Sequence, residues 1–583
     1  MNLITKAYLL QHLLRWRRTW DKRNTHYRFT VPGNPRFMGA RDAVQLIHDG
    51  DVIATSGIAG NQRMSMLLWA IREVFDETRH PANLTILNTS GQGGRGKVPG
   101  SMEDLGAEGL CTRLITGHVE TVKALLRLAA AGKLEIQCLP QGVVAFLMEA
   151  QGRGEDSILT KTGIGTFVDP RVGPGSHIFD PKAEQLISVE GEQLRYRAPK
   201  IRVAMFGAPA ADREGNLYLD NASMLGETFD IVRAARKNGG RVIANVGCMV
   251  EKGAGKVVIP AQDVDAIVFD PDCEQTFSIK HRKYWSLFTT HSDLPVEEAI
   301  SRLRFVNHVL HITPRRTPID YALARLAAQT FAQNARRGMN VNIGVGLPEE
   351  ACRMLFEAGL LQTVTVFTES GVIGGLPAPG VFFGAAACPK KMVRSPEVFR
   401  MCGNQLDVTL LGVLEADSEG NVNVSRRGEG PKNYVGPGGF IDITTGARMI
   451  IFVTSWMAHA DIRIEGGRIK IVKPGEPKFV AKVSEITFSG KQALKAGKKV
   501  FYVTTVGVFQ LTERGVELIR VMPGIDIQKD IIAATPMKIV LPPSGDVPVV
   551  NSGVVTGAGY KLAFPPSPQE SRPREPLAEA LPV

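Results

Sequence analysis

Several familiar catalytic signatures are missing from this 583-residue chain, which has no HExxH, no GxxxxGK[ST] and no GxSxG. Their absence removes zincin-type hydrolysis, P-loop phosphate binding and the nucleophile elbow of α/β-hydrolases. Cysteine is scarce: seven residues (Cys111, Cys138, Cys248, Cys273, Cys352, Cys388, Cys402) with no CxxC pair. That is too sparse for a disulfide scaffold and points to a reducing compartment, the cytosol. Eleven scattered histidines offer no metal-ligand spacing, and no apolar run reaches the roughly 18 residues of a membrane span. Gly (60) and Pro (35) are too few for collagen-like or low-complexity sequence.

What is present is a globular composition, 44% hydrophobic and 22% charged, with enough chain for about three or four domains or two large ones. The net charge of +11 is unevenly spread. Seven Lys and Arg (6, 15, 17, 18, 22, 23, 28) stand against Asp21 alone in the first 30 residues, so +6 sits in one arm. The rest is nearly balanced, and no nucleic-acid surface is expected. The arm also carries Tyr8, Leu9, Leu10, Leu13, Leu14, Trp16 and Trp20 at helical spacing. Two readings stand: a membrane-surface or targeting helix, or an extension docked on its own or a partner subunit, which we favour.

From about Phe37 short apolar runs alternate with helical stretches. Asp51–Thr55 reads as a buried strand, Gly57–Gly60 as a turn, Ser65 as a helix N-cap, and Leu84–Leu87 as the next strand. Such alternation predicts an α/β fold, mostly parallel sheet covered by helices on both faces. The texture occurs twice. Val341–Val345 is a strand, Pro348-Glu349-Glu350 opens a helix ending near Gly359, and Val364–Phe367 is the next strand. Strand ends align Leu84–Gly91 with Val364–Gly371 at an offset of 280, and Ala211–Asn216 with Ala416–Asn421 at an offset of 205. The expectation is therefore two tandem, internally related open α/β domains, the first about 75 residues longer between these landmarks. The division runs 1–34 (basic extension), 35–290, 291–317 (basic connector), 318–545, and 546–583, a proline-rich tail expected to be disordered.

Two segments could carry chemistry. Gly91-Gln92-Gly93-Gly94-Arg95-Gly96 satisfies GxGxxG, yet Lys97-Val98-Pro99-Gly100 follows instead of a helix, so a dinucleotide site is rejected. The second is Thr368-Glu369-Ser370-Gly371-Val372-Ile373-Gly374-Gly375-Leu376-Pro377. A carboxylate at the carboxyl end of a parallel strand lies where ligands bind in open α/β sheets, and the glycines would let backbone amides approach. A desolvated carboxylate with donors aimed at the oxyanion it generates is a nucleophile's site. The plainer alternative is that Glu369 caps a helix or pairs with an arginine. The matched first-half residue is Thr89.

Longer motifs add a resemblance. FTESGVIGGLPAPG (Phe367–Gly380), GNVNVS (Gly420–Ser425), GPGGFIDI (Gly436–Ile443), LPQG (Leu139–Gly142), GIGTFVDPR (Gly163–Arg171) and LTERGVELIRVMPGIDIQKDI (Leu511–Ile531) resemble the family I coenzyme A transferases. The similarity is to the fused-subunit acyl-CoA:acetate/3-ketoacid and propionate branch, from about residue 37 to 540. It implies the CoA-transferase fold, a cleft between the halves, Glu369 as nucleophile, Gly438 and Gly439 as backbone donors of the oxyanion hole, and Gln92 and Gly93 facing the cleft. It implies transfer of CoA from a short-chain acyl-CoA to a carboxylic acid such as acetate, through a glutamyl-CoA thioester. No metal or other cofactor is needed, CoA being a substrate, and a homo-oligomer without stable membrane insertion is expected. Arg426-Arg427 departs from the family pattern; with Lys161 it could meet the CoA polyanion, although a solvated surface role is the simpler reading for each. Phe382 and Phe383 are core or acyl-pocket wall. An acyl-CoA hydrolase on the same scaffold, or a non-catalytic effector-binding module, remains the alternative.

Overall fold

The basic arm folds as helix α1, Leu3–Thr19, capped by Asn2, whose side chain accepts Thr5 N–H at 2.8 Å. In this computed structural model, which describes residues 1–93, 98–312 and 315–565, α1 lies against its own chain. Leu9 and Leu13 are buried, and Trp16 meets Phe277 at 4.8 Å between ring centroids. The buried Asp270 accepts from Arg23 at 3.4 Å. Among the described residues, no helix is long and apolar enough to cross a membrane.

Val52–Thr55 forms β1, buried on both faces, which makes it a central strand. Helix α2, Ser65–Thr78, follows. Its N-cap is Met64 and not Ser65, whose hydroxyl is buried with no hydrogen-bond partner among the described residues. The expected strand is β2, Leu84–Asn88, parallel to β1. Beyond β2 come β3, Cys111–Thr116, and β4, Glu135–Cys138, followed by helix α3, Gln141–Arg153. On the other side of β1 lies β5, Val203–Ala211; helix α4, Thr228–Lys237, leads from it towards β6, Arg241–Met249, and then β7, Ala266–Phe269. The parallel order is β7-β6-β5-β1-β2-β3-β4, with a short antiparallel extension on β5 completing nine strands among the described residues.

The connector carries α5, Val296–Val309, against which α1 packs. Helix α6, Pro318–Asn334, begins at a capping box between Thr317 and Asp320. Strand β8, Asn340–Ile343, helix α7, Leu347–Glu357, and β9, Thr365–Phe367, repeat the β1-α2-β2 unit. After β9 the chain turns back through the short antiparallel strands β10, Val372–Ile373, and β11, Lys391–Met392. Helix α8, Ser395–Gln405, then returns to β12, Val408–Gly412, parallel to β8. Helix α9, Phe440–Gly446, and strands β13, Met449–Val453, and β14, Lys499–Val503, continue the parallel run, which antiparallel β15, Gly507–Thr512, and β16, Gly515–Val521, close. The order is β11-β10-β9-β8-β12-β13-β14-β15-β16.

Both sheets share the central order of two halves built alike, as the repeated strand and turn sequences anticipate. The extra length of the first half includes β3, β4 and the small antiparallel sheet of Ser157–Thr160, Ile187–Glu190 and Gln193–Arg197, where the second half has the short strands of the β10–β11 return before α8. The halves interlock: Tyr434 and Ile441 are buried in the first-half core, and Ala145 in the core around β13.

The tail differs from expectation. Residues 546–565 are docked: Val521 bridges to Val549, and Arg325 donates to Val554 O and Val555 O at 2.6 Å each. Tyr560 Oη donates to Arg325 O at 2.6 Å. The valines at 547, 550, 554 and 555 are buried and anchor the segment, and the proline-rich composition that suggested disorder begins only after them. Residues 566–583 lie outside the described residues.

Candidate active site

Glu369 stands in a tight turn immediately after β9. Gly371 N–H donates to Thr368 O at 3.2 Å, Thr368 N–H to Val372 O at 3.0 Å, and the Ser370 hydroxyl to Gly384 O. Gly371 has φ +86°, and a Cβ there would overlap Val393 O. The strand thus reverses within a few residues, leaving the glutamate at its carboxyl end. The nearby glycines do not supply free donors as expected, because the amides of Gly371 and Gly374 are committed to Thr368 O and Val366 O.

The donor comes from elsewhere. Gly439, the N-cap of α9, lies against the Glu369 carboxyl group, and its amide favours the charged form. A Cβ on Gly439 would lie 2.9 Å from Glu369 Cδ and Oε2, so only glycine permits the approach. Glu369 keeps partial exposure, yet its carboxyl group is enclosed deeply enough that lost hydration pushes its pKa to about 7, opposed by the Gly439 amide.

Gly438 does not serve as the second donor in this geometry. Its N–H is held by Gly117 O at 2.7 Å, and its own carbonyl accepts Gln141 N–H at 3.0 Å. The GPGG segment is wedged into the first half: Val119 N–H also donates to Val435 O at 2.9 Å, and Gly436 packs over Gly117. LPQG and GPGG, distant in sequence, are two sides of one interlock.

Gln92 and Gly93 lie on the other side of the same strap of residues, 117–121. Gly91 N–H donates to His118 O at 3.2 Å, and a Cβ on Gly93 would overlap Thr121 O. The Gln92 side chain is buried; its Nε2 donates to Ser56 O at 2.7 Å, and its Oε1 has no hydrogen-bond partner among the described residues. Gly94, Arg95, Gly96 and Lys97, the remainder of the rejected GxGxxG match, lie outside the described residues. Thr89, matched to Glu369, donates to Glu227 Oε1 at 3.0 Å.

Two residues escaped the sequence reading. Glu227 is a fully buried carboxylate at the N-cap of α4, and Asp442, three residues after Gly439, is a buried carboxyl group in the first turn of α9. An acid in a helix's first turn is so common that neither position stands out by pattern. Lys161 is exposed, Arg427 pairs with Glu120 of the other half, and Arg426 pairs with Glu429, so all three read as surface charges. Phe382 is core, edge-on to Phe277 and tilted against Trp285 and Phe288, while Phe383 is partly buried beside Ile58 and Met224. The Cys111 thiol is buried and pushed up to about 12, an inert state.

Comparison with known proteins places these features in context. The sequence profile of the Coenzyme A transferase family matches residues 37–270. A caffeate CoA-transferase of Acetobacterium woodii is 34% identical over 511 residues, 85% of this chain and 93% of that protein. The acetate CoA-transferase YdiF of Escherichia coli (strain K12) is 31% identical over 513 residues, 86% and 92% of the two chains. The crystal structure of YdiF apoenzyme from Escherichia coli O157:H7 superposes with a TM-score of 0.79 at 28% identity, covering 93% of this chain and all of that one. A second structure of that protein, described as a thioester complex with CoA, also gives 0.79, covering 91% and 97%.

Proposed function

This chain belongs to the coenzyme A transferase family and is an enzyme that transfers CoA; on that premise we propose that Glu369 is its nucleophile and that the acids it exchanges are short-chain carboxylates such as acetate. The observation that carries the assignment is the Glu369 carboxylate at a strand end, short of water and lying against the backbone of Gly439. A carboxylate reacts as its anion, and partial desolvation makes that anion a better nucleophile than one in bulk water.

In the first step a Glu369 oxygen attacks the thioester carbonyl carbon of acyl-CoA. The C–S bond breaks with its electron pair leaving on sulfur, giving an acyl-glutamyl anhydride and CoA thiolate. The thiolate attacks the glutamyl carbonyl, the first carboxylate departs, and CoA remains on Glu369 as a thioester. A second carboxylate reverses both steps, leaves as a new acyl-CoA, and restores Glu369. The Gly439 amide, next to the Glu369 carboxyl group, is placed to stabilise the oxyanion formed when thiolate or carboxylate attacks the glutamyl carbonyl. Ping-pong kinetics follow, because the first acid leaves before the second binds.

Acetate as acceptor is supported by the name of the Escherichia coli relative, and caffeate, from that of the Acetobacterium woodii relative, is the contrasting acid to test. The same reading carries a cytoplasmic setting, in keeping with seven unpaired thiols, a homo-oligomer, and halves divided at about 35–290 and 318–545. The test is peptide mass spectrometry after incubation with acetyl-CoA and no acceptor. A CoA adduct on the Glu369 peptide, discharged by acetate, is the expected result. Free CoA accumulating without adduct would make the protein a hydrolase, and neither product would remove Glu369 from the chemistry.

A further inference from the structure

Asp442 has no part in the steps above, and its surroundings are unusual for a carboxyl group. It lies in the first turn of α9, the helix whose N-cap amide faces Glu369, and is 6% exposed. Its Oδ2 accepts Gly142 N–H at 2.9 Å from the first turn of α3, in the other half. Beside it Gly438 O takes Gln141 N–H at 3.0 Å. Together they cap α3 from across the interface. Gly142 is where a side chain has to be absent: a Cβ there would come 2.6 Å from Asp442 Oδ1 and 2.7 Å from Phe399 Cγ.

The second oxygen, Oδ1, is buried and meets no hydrogen-bond partner among the described residues. An ionised carboxylate with one oxygen stranded in protein is costly, whereas a neutral acid in the same place forfeits much less hydration. The ionisable groups that face it are Glu369 from the turn after β9, the Cys402 thiol on α8 and the Tyr196 hydroxyl from Gln193–Arg197, all acids. Burial pushes Asp442 up to about 8, the backbone amides of Gly142, Asp442 and Val143 opposing it and the Glu369 charge adding to it, against about 7 for Glu369. The negative charge of Glu369 adds to the burial of Asp442, so ionising both groups together is disfavoured and Asp442 is the one left protonated.

We propose that Asp442 is a positioning residue that works as an uncharged acid. It joins α3 of one half to α9 of the other, sets the Gly439 amide against Glu369, and leaves the single negative charge of the pair on the nucleophile. The proposal rests on Glu369 being that nucleophile. It also gives the pairing of LPQG with GPGGFID a purpose: the two motifs form the clamp that registers one half against the other.

The test compares Asp442→Asn, which keeps an oxygen for Gly142 N–H but cannot ionise, with Asp442→Ala, which removes both. The readout is the rate of CoA-adduct formation on Glu369 from acetyl-CoA, by rapid quench and mass spectrometry, from about pH 6 to about pH 9.5. Wild type should slow on the alkaline side as Asp442 ionises. Asp442→Asn should lose that alkaline decline, keep the acid one, and stay within about threefold of wild type near neutrality, while Asp442→Ala slows about a hundredfold through lost register. An unmoved alkaline decline in Asp442→Asn, or a loss as deep as that expected for Asp442→Ala, overturns the proposal, and this holds even if the alanine variant fails to fold. Wild type that forms no adduct on Glu369 at any pH removes the nucleophile assignment and this proposal with it. An adduct whose pH profile is identical in Asp442→Asn removes this proposal alone.

Discussion

The two halves treat the same pair of positions in opposite ways. In the first, the strand end after β2 holds Thr89, and the N-cap of the helix after β5 holds the carboxylate, Glu227. In the second, the strand end after β9 holds the carboxylate, Glu369, and the corresponding N-cap is Gly439. Glu227 is fully buried and accepts from Thr89 Oγ1 at 3.0 Å, Ser56 Oγ at 3.3 Å and Gly57 N at 3.3 Å. Glu369 keeps partial exposure and has one backbone amide. A carboxyl group wrapped in donors has its lone pairs engaged, whereas one left short of donors, beside glycine, retains lone pairs for attack.

The deepest break in that comparison is to remove the carboxylate proposed as the nucleophile. Glu369→Ala should lower transfer by at least about 10⁴-fold and yield no CoA adduct, as acting units of a covalent mechanism do when removed. Glu227→Gln should still form the adduct. Next comes the glycine that distinguishes the second N-cap: Gly439→Ala places a methyl group 2.9 Å from the carboxyl carbon and should slow adduct formation about 10²- to 10³-fold, the scale of one lost oxyanion donor. A rate near wild type would dissociate Gly439 from the chemistry.

Burial raises both carboxyl groups above the ordinary carboxylate value, and only that of Glu369 should show in the adduct rate. The Glu369 pKa is raised, so its anion is complete only above about 7 and is lost as pH falls through that value. The adduct rate at about pH 6 should be about a tenth of its maximum, and the same acid decline should persist in Glu227→Gln. Smaller is the effect of Glu227→Gln on folding. Mismatching a buried acceptor against the fixed Gly57 N–H should cost about 1 to 3 kcal/mol, read as a lower melting temperature with the rate per folded molecule within about threefold. Least of all, Arg427→Ala breaks an exposed ion pair with Glu120 across the halves, and about 0 to 1 kcal/mol, screened by salt, is expected from denaturant titration.

Much of this was legible along the chain. Strand β1 was visible because a fully buried strand is a continuous apolar run, and β9 because its partner sequence recurs in β2. The place of Glu369 at a strand end was legible because it directly follows such a strand and precedes turn glycines. Gly438 misled because a GG pair carries no mark of which amide is free; only the contact with Gly117 O shows that the first is occupied. The tail misled through averaging: proline content after residue 564 coloured a window whose first part is anchored by valines.

By itself, the order of residues determined two α/β halves and the place of the carboxylate, since strand periodicity, turn glycines and repeats are properties of neighbours along the chain. Tertiary structure decided which amide meets that carboxylate, how far water is excluded from it, and which second buried acid feels its charge. Those depend on segments about 300 residues apart, Gly142 and Asp442 among them, meeting across an interface where each glycine is defined by the atom of the other half that takes the place of its missing side chain.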